Sequence, residues 1–235
     1  MRRFVQAISD ESVPDVLSRD VATALAHAHP RYNIASGGDA LVLRMQDGEV
    51  VVDTLRWGLV PRWSKLPETA YSTITARLKR APTSRIYARP WASQRCVVPM
   101  NGYYKWDRSG DRPVPHFIQA RSGGLLFAAG LWDLWERELP PLASFAMLTM
   151  ENPAIPAPLS PDGPLFLAAD ALLDWMAGPA PDARRLARLP QPALETWPVS
   201  RRIRSRVVDD YTLLEPAEAG AEDTPLDEEP LDEDD

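Results

Sequence analysis

The alternation of apolar and polar positions predicts a strand-rich chain with helices toward its two ends. Strands are predicted where apolar residues alternate or run together, at Phe4–Ile8, Leu41–Met45, Val50–Leu55, Arg95–Val98, Tyr103–Asp107, His116–Gln119, Leu125–Leu131 and Ser144–Thr149. Apolar residues at helical spacing predict helices at Pro14–Ala28, with Pro14 in the first turn, at Ala169–Ala177 and near Asp182–Leu189. These elements predict an α+β fold, with one domain built on a curved, mostly antiparallel sheet or barrel flanked by helices.

The connections between these elements are predicted from glycine and proline. Gln46–Glu49 places Asp-Gly between two apolar runs, a pattern typical of a β-hairpin. Arg31–Ala35 is predicted to begin a loop, and Gly37-Gly38 to form a turn after it. The proline-rich segment 153–164 predicts a rigid, irregular loop.

Charge divides the chain into a mildly basic body and an acidic end. The formal net charge is −7 over 235 residues. From Glu215 onward there are 11 acidic residues and no basic ones, so residues 1–214 carry 22 acidic against 26 basic side chains. Low hydrophobicity with one sign of charge is typical of disorder. We therefore predict a domain over residues 1–212 and an acidic, disordered tail over residues 213–235.

Composition disfavours several classes of protein. No run of about 18 apolar residues is present, and the N-terminal segment lacks the apolar core of a secretory signal, so neither a membrane span nor export is expected. The single cysteine, Cys96, cannot form an internal disulfide or build a zinc site alone. We expect a cytoplasmic protein that uses no metal and no other cofactor.

Six short motifs occur in a fixed order along residues 1–210. They are RYNIA at 31–35, RWGLVPRW at 56–63, TAR at 75–77, RCVVPMNGYYKW at 95–106, FAAGLW at 127–132 and WPVSR at 197–201. Together they resemble the SOS response-associated peptidase (SRAP) family, whose members bind single-stranded DNA and capture abasic sites. The resemblance implies a single SRAP-like domain, with single-stranded or abasic DNA as its partner in a DNA-damage (SOS) response.

The resemblance also implies a covalent chemistry in the active members. They begin Met-Cys-Gly-Arg-Phe, and removal of the methionine leaves an N-terminal cysteine with its amine beside its thiol. The amine condenses with the aldehyde of a ring-opened abasic sugar, and the thiol closes onto the imine carbon. An α-amino pKa of about 7.7–8.0 leaves part of this amine unprotonated near neutrality. A glutamate, an asparagine and the histidine of an H-x-R-M-P motif assist with proton transfer and positioning.

This sequence departs from that pattern at each reactive position. Its first residues, MRRF, lack the cysteine, and the size of Arg2 is expected to prevent removal of the initiator methionine. Thr75 replaces the asparagine, Lys105 replaces the glutamate, and segment 154–164 contains no histidine. Cys96 is expected to be a core residue and not a substitute nucleophile, because it lies in an apolar strand. We therefore predict a family member without an intact catalytic site.

Lys105 leaves three interpretations open. An ammonium in place of a carboxylate shifts the local charge by +2, which favours phosphate near Arg77 and removes the acid–base group. Alternatively, a neighbouring arginine depresses the pKa of Lys105, so that its amine forms an imine with an abasic aldehyde or promotes strand cleavage. Lys105 can also be purely structural. Residual lyase or peptidase activity would use Lys105 or the α-amine of Met1.

The predicted DNA contacts combine basic and aromatic side chains: Arg3, Trp63, Arg77, Arg80, Arg85 and Lys105. Arg77 matches the phosphate-binding arginine of the family, although an internal salt bridge is the alternative. The stretch 77–89 has no acidic residue, so it forms either an electrostatic groove or a solvated loop.

Trp63 is the tryptophan expected to stack on a base, and Trp57 and Trp106 are the other candidates. When bound to DNA, the protein is expected at the nucleoid. The acidic tail, residues 215–235, either solvates the protein, competes for the DNA-binding face or contacts a basic protein partner. The last possibility corresponds to a different function, that of a protein-interaction module in a repair or mutagenesis complex.

Overall fold

The computed structural model describes residues 1–67 and 72–217. Its strands are β1 (Arg3–Gln6), β2 (Arg31–Ala35), β3 (Asp39–Gln46), β4 (Glu49–Trp57), β5 (Thr75–Arg77), β6 (Arg95–Met100), β7 (Gly102–Asp107), β8 (Val114–Ala120), β9 (Leu126–Trp135), β10 (Leu142–Glu151), β11 (Asp162–Pro164) and β12 (Leu194–Pro198). Its α-helices are α1 (Arg19–Ala26), α2 (Ala88–Ser93), α3 (Leu172–Ala177) and α4 (Ala183–Leu186). Within these residues no helix is long and apolar enough to cross a membrane.

The strands form two hydrogen-bonded sheets. In one sheet, β12, β8, β7, β1 and β2 lie side by side in that order. In the other sheet, β4, β3, β6, β9 and β10 close into a ring, because β10 pairs with both β9 and β4. β5 and β11 extend this ring by pairing with β10. The chain is thus a single α+β domain, in which a five-stranded barrel adjoins a mostly antiparallel sheet, as the sequence predicts.

Alternation along the strands sorts the apolar side chains into three layers. Tyr103 faces an inner core shared by the two sheets, whereas its neighbour Tyr104 faces an outer core with the C-terminal segment. In the barrel, Val98 faces the inner core, and Val97 faces a third cluster that includes side chains of the helices. Successive side chains on a strand point to opposite faces, so residues two apart belong to the same layer. Lys105, two residues after Tyr103, therefore projects from the inner face.

The predicted β-hairpin is confirmed, whereas the predicted start of the first helix is wrong. Asp47 and Gly48 connect β3 to β4 with φ angles of 52° and 87°, the left-handed values that this tight turn requires. The first helix begins at Arg19 and not near Pro14, because the Ser18 hydroxyl accepts a hydrogen bond from the backbone N–H of Val21 and caps the helix there.

Residues 31–35 form strand β2, contrary to the predicted loop. The polar residue in the middle of this strand, Asn33, forms hydrogen bonds with groups that are distant in the sequence. Asn33 is 3% exposed, and its amide donates hydrogen bonds to the carbonyls of Ser205 and Val208 at 2.8 and 2.7 Å. The carboxylate of Asp209 accepts from the backbone N–H of Asn33 at 2.8 Å. The C-terminal segment thus supplies the partners that make a buried asparagine tolerable in a strand.

The C-terminal segment remains folded beyond residue 212, the predicted end of the domain. Leu213 is fully buried in the outer core. The indole N–H of Trp197 donates to the Leu214 carbonyl at 2.8 Å, and the N–H of Ala217 donates to the Pro198 carbonyl at 2.9 Å. Residues 213–217 therefore belong to the domain, and the rest of the predicted acidic tail lies outside the described residues.

Candidate functional site

Lys105 lies at the centre of the candidate site, at the end of the inner core. Its side chain is nearly buried, with the residue 7% exposed. The ammonium donates hydrogen bonds to the Ser160 hydroxyl at 2.9 Å and to the Asp162 carbonyl at 2.5 Å. Burial lowers the pKa of Lys105 below its ordinary value, and the negative charge of Asp162 acts in the opposite direction. The site therefore holds a desolvated amine beside a hydroxyl group.

Asp162 connects Lys105 to Arg77, as the register of three strands requires. In β10, Thr149 pairs with Arg77, and Glu151 pairs with Asp162. Paired residues and alternate residues share one face of a sheet, so Arg77 and Asp162 project from the same face. Their side chains form an ion pair of 3.8 Å between Nη1 and Oδ1, with the Arg77 side chain 71% exposed. Lys105 and Arg77 therefore both contact Asp162, which confirms the predicted proximity of the two cations.

Ser160 and Asp162 are members of the site that the sequence analysis missed. They follow the proline-rich loop, and Asp162 begins the short strand β11. The available signal was Pro164: aligned with the last residue of H-x-R-M-P, it places Ser160 at the histidine position. A Cβ at Gly163 would lie 2.5 Å from the Cδ1 of Ile155, so the loop packs closely against the inner core at this point. The loop therefore places the Ser160 hydroxyl beside Lys105. The resemblance implies a histidine at the position of Ser160 and a glutamate at the position of Lys105.

Thr75 is held beside this site by strand β5. The strand runs parallel to β10, and Thr75 pairs with Met147. The hydroxyl of Tyr87 donates to the Thr75 carbonyl at 3.1 Å, and burial raises the pKa of Tyr87 to about 12. Thr75 and Arg77 are alternate residues of one strand, so the structure places these two predicted site residues on the same face.

The basic stretch that follows Arg77 along the chain contains exposed arginines, one of which contacts Trp63. Arg80 and Arg85 are exposed, and the Cζ of Arg85 lies 4.5 Å from the ring centroid of Trp63. Trp63 itself is 42% exposed. In contrast, Trp57 is completely buried, and its indole N–H donates to a backbone carbonyl at 2.9 Å. Of the two, only Trp63 offers an accessible ring for stacking.

Trp106, the third candidate for stacking, lies on the outer face of the five-stranded sheet. Arg3, a predicted DNA contact, lies on the same face. Trp106 is half-buried and packs against the outer core. The Arg3 guanidinium donates to the Asn33 side-chain oxygen and to the Arg204 carbonyl, each at 2.7 Å. Arg3 therefore holds the C-terminal segment to the sheet, a structural role that the sequence analysis did not predict.

A groove of about 310 Å³ opens between the turn after β2 and the segment that leads into β5. Its lining includes Ser36, Gly37, Arg56 and Ile74. The Ser36 N–H donates to the Arg2 carbonyl at 3.2 Å, which places the start of the chain at this turn. Arg2, predicted as the degenerate equivalent of the cysteine, thus adjoins the groove through its backbone.

Cys96 is a core residue, as predicted. It is completely buried, and burial raises the pKa of its thiol. A Cβ on Gly130 would lie 2.8 Å from the sulfur, so the neighbouring strand leaves it little space. In residues 1–67 and 72–217, no group of three His, Cys, Asp or Glu side chains is arranged to hold a metal ion.

The sequence is similar to several proteins described as abasic site processing proteins. The chain is 26% identical to the abasic site processing protein YoaM of Bacillus subtilis over 91% of this chain and 96% of the relative, and 27% identical to YedK of Escherichia coli over 74% and 78%. It is 36% identical to the yeast protein YMR114C, with 52% of this chain covering 33% of that relative.

Solved structures show the same fold. A Bacteroides thetaiotaomicron protein superposes with a TM-score of 0.74 at 16% identity, over 92% of this chain and all of that one. A Bordetella bronchiseptica protein superposes with a TM-score of 0.67 at 23% identity, over 85% of this chain and all of that one. The sequence profile described as SOS response associated peptidase (SRAP) matches residues 2–206. The chain therefore belongs to the SRAP family.

Proposed function

We propose that this protein binds single-stranded DNA, including strands with abasic sites, in the DNA-damage response, without the covalent capture attributed to the family's N-terminal cysteine. The observation that carries this proposal is the environment of Lys105, whose ammonium is buried and donates to Ser160 and Asp162. A lysine held in this way brings no negative charge to the site, so it does not reproduce the role of the family's glutamate. The relatives' description as abasic site processing proteins indicates the type of DNA.

The single cysteine supports the loss of covalent capture. Ring closure on an abasic imine requires a thiol beside a free α-amine. Cys96 is the only cysteine in the sequence, and it is fully buried within strand β6. Because the thiolate is the reactive species, burial that raises the pKa of this thiol suppresses its reactivity further.

The exposed basic and aromatic side chains support retained DNA binding. Arg77, Arg80 and Arg85 are all exposed, and Arg85 lies over Trp63. Guanidinium groups donate paired hydrogen bonds to phosphate oxygens, and an accessible indole can stack on a base of any sequence. The combination is suited to a flexible single strand, in which both phosphates and base faces are available.

Binding can be tested by fluorescence anisotropy with labelled single strands, intact and abasic, over a series of salt concentrations. The full chain and a variant that ends at Ala217 are compared, so that the acidic end is controlled. We expect affinity for both strands to fall steeply with salt. Equally weak binding at low and high salt by the shortened chain would contradict the proposal.

The absence of covalent capture is tested separately with abasic DNA on a denaturing gel. We expect no adduct without a reducing agent. A stable adduct formed without reduction would contradict this part of the proposal and leave DNA binding unaffected.

A second candidate activity is imine formation by Lys105, favoured by its lowered pKa. Borohydride would trap such an imine as a covalent adduct. An adduct that is formed by the wild type and lost in K105M would establish this activity. Failure to trap an adduct would exclude it.

A further inference from the structure

The side chains of Ser160 and Lys105 meet the geometric requirement for a nucleophile and its base. The distance from the Ser160 Oγ to the Lys105 Nζ is 2.9 Å, within the range of about 2.6–3.2 Å over which a positioned base takes a proton. We propose that these two residues form a serine–lysine dyad that hydrolyses acyl esters. This activity goes beyond DNA binding and uses the same two positions at which the family's glutamate and histidine are replaced.

The two members of the dyad differ in exposure in the way that their roles require. Ser160 is an exposed residue, so a substrate in solution can approach it. Lys105, in contrast, is only 7% exposed. The Asp162 carbonyl accepts a second hydrogen bond from Nζ at 2.5 Å. This third group fixes the direction of the amine, as the third member of a catalytic triad orients its base.

The groups around Lys105 determine whether it can accept a proton. Burial lowers its pKa, which increases the neutral fraction, while the Asp162 carboxylate raises it. Arg77 forms an ion pair with that same carboxylate at 3.8 Å and so offsets part of its charge. His116 lies directly opposite Lys105 in β8, and its Nδ1 is 3.1 Å from the Val114 carbonyl. The carboxylate that acts on the pKa of Lys105 is thus also paired with an exposed guanidinium.

The reaction proceeds in two balanced steps. The Ser160 oxygen bonds to the acyl carbon as its proton passes to the neutral Lys105 amine, and the leaving alkoxide then takes that proton as the ester bond breaks. Water next attacks the acyl-serine ester, giving one proton to Lys105, which returns it to the Ser160 oxygen. The products are an alcohol and a carboxylic acid, and no cofactor is consumed.

Arg77 indicates which esters the dyad would favour. Its side chain is 71% exposed and lies at the carboxylate of Asp162, two residues from Ser160. An exposed guanidinium attracts a carboxylate or phosphate on the substrate. We therefore expect esters whose acyl group carries a negative charge to react faster than neutral esters.

The activity can be tested with the full chain by labelling with a fluorophosphonate probe and by hydrolysis of two nitrophenyl esters, the neutral acetate and the anionic hemisuccinate. We expect the probe to label the peptide that contains Ser160, and S160A to abolish both labelling and hydrolysis. S122A is the matched control, because Ser122 is also an exposed loop serine and lies in the turn between β8 and β9. Loss of the base in K105M should slow hydrolysis on the order of 100-fold.

The dyad is overturned if Ser160 is not labelled, or if S160A hydrolyses the esters as fast as the wild type. R77Q should slow the hemisuccinate more than the acetate, and equal slowing would overturn the assignment of an anionic acyl group. Circular dichroism of each variant establishes that it is folded, so that lost activity is not lost structure. S160A also separates the dyad from imine formation by Lys105, because it removes the nucleophile and leaves the amine in place.

Discussion

The guanidinium of Arg85 lies over the indole ring of Trp63, with its Cζ 4.5 Å from the ring centroid. This cation–π contact joins the exposed segment that follows β4 to the basic stretch that follows β5. Trp63 remains 42% exposed, so part of its ring is available to a ligand. A positive charge and an aromatic surface are thus held side by side on the surface of the protein.

Replacing Trp63 should weaken binding to single-stranded DNA. Stacking of one base on an aromatic ring contributes about 1–3 kcal/mol, so W63A should raise the Kd by about 5- to 150-fold. Fluorescence anisotropy with an unmodified single strand measures the change. Y211A is a suitable control, because Tyr211 is another exposed aromatic residue, at 64%, and lies in the C-terminal segment. Equal affinities of W63A and Y211A would contradict a stacking role for Trp63.

Replacing Arg77 should change the salt dependence of DNA binding more than the stability of the fold. Loss of one phosphate contact reduces the slope of log K against log salt by about 0.7 for a single strand. The ion pair of Arg77 with Asp162 is exposed, so R77Q should cost less than about 1 kcal/mol of unfolding free energy. R188Q, at an exposed arginine that follows α4, should leave the slope unchanged. An unchanged slope in R77Q would favour a purely internal salt bridge.

The local features of the fold were predictable from the sequence because neighbouring residues decide them. Asp47-Gly48 determines the hairpin turn with its own backbone conformation, and the apolar run around Cys96 is sufficient to place that residue in the core. Strand β2 was not predictable, because the burial of Asn33 depends on carbonyl groups about 170 residues later in the chain.

The same distinction applies to the candidate site. The replacement at Lys105 is visible in the motif, but its two acceptors lie 55 and 57 residues away. One of them is a backbone carbonyl, a group that every residue has, so no sequence pattern marks it. Arg3 is the opposite case, because the sequence predicts a DNA contact there, whereas its guanidinium donates to a backbone carbonyl of the C-terminal segment.

The lowered pKa of Lys105 should make its contribution to stability depend on pH. The unfolded chain protonates this lysine near its ordinary pKa of 10.5, whereas the folded chain does so at a lower pH. As pH falls between these two values, the unfolded state gains a proton first, and the contribution of Lys105 to the unfolding free energy decreases.

This dependence can be measured by urea unfolding of the wild type and K105M from pH 7 to pH 10.5. The difference between them isolates the lysine, because every other titrating group is common to both proteins. The wild type should gain stability relative to K105M as pH rises within the window. A relative gain as pH falls would show that the hydrogen bonds to Ser160 and Asp162 raise the pKa more than burial lowers it.

The thiol of Cys96 should be unreactive in the folded protein. It is completely buried, and burial raises its pKa, so both access and thiolate formation are suppressed. A disulfide reagent such as Ellman's reagent should modify it only after denaturant is added. C96A provides the baseline. Stoichiometric modification of the folded chain would contradict this burial and reopen Cys96 as a candidate nucleophile.

Two truncations should separate the folded C-terminal segment from the acidic end. A chain ending at Thr212 loses Leu213, which is fully buried, and the carbonyl that accepts from the Trp197 indole. Burial of one leucine contributes about 1.5–3 kcal/mol, and the orphaned indole adds about 1–3 kcal/mol, so the unfolding free energy of this chain should be lower by about 2.5 kcal/mol or more. A chain ending at Ala217 keeps these contacts and should unfold at the same urea concentration as the full chain. Equal stability of the two truncations would contradict the assignment of residues 213–217 to the domain.

The truncation after Ala217 should also strengthen DNA binding. It removes ten acidic residues and no basic ones from residues 218–235. The remaining chain carries 23 acidic and 26 basic side chains, so its repulsion of a phosphate backbone is reduced. Affinity should therefore rise most at low salt and converge with that of the full chain at high salt, where charges are screened. An equal affinity at low salt would show that the acidic end does not act on the DNA-binding face, and would favour its role as a contact for a protein partner or as a solvating segment.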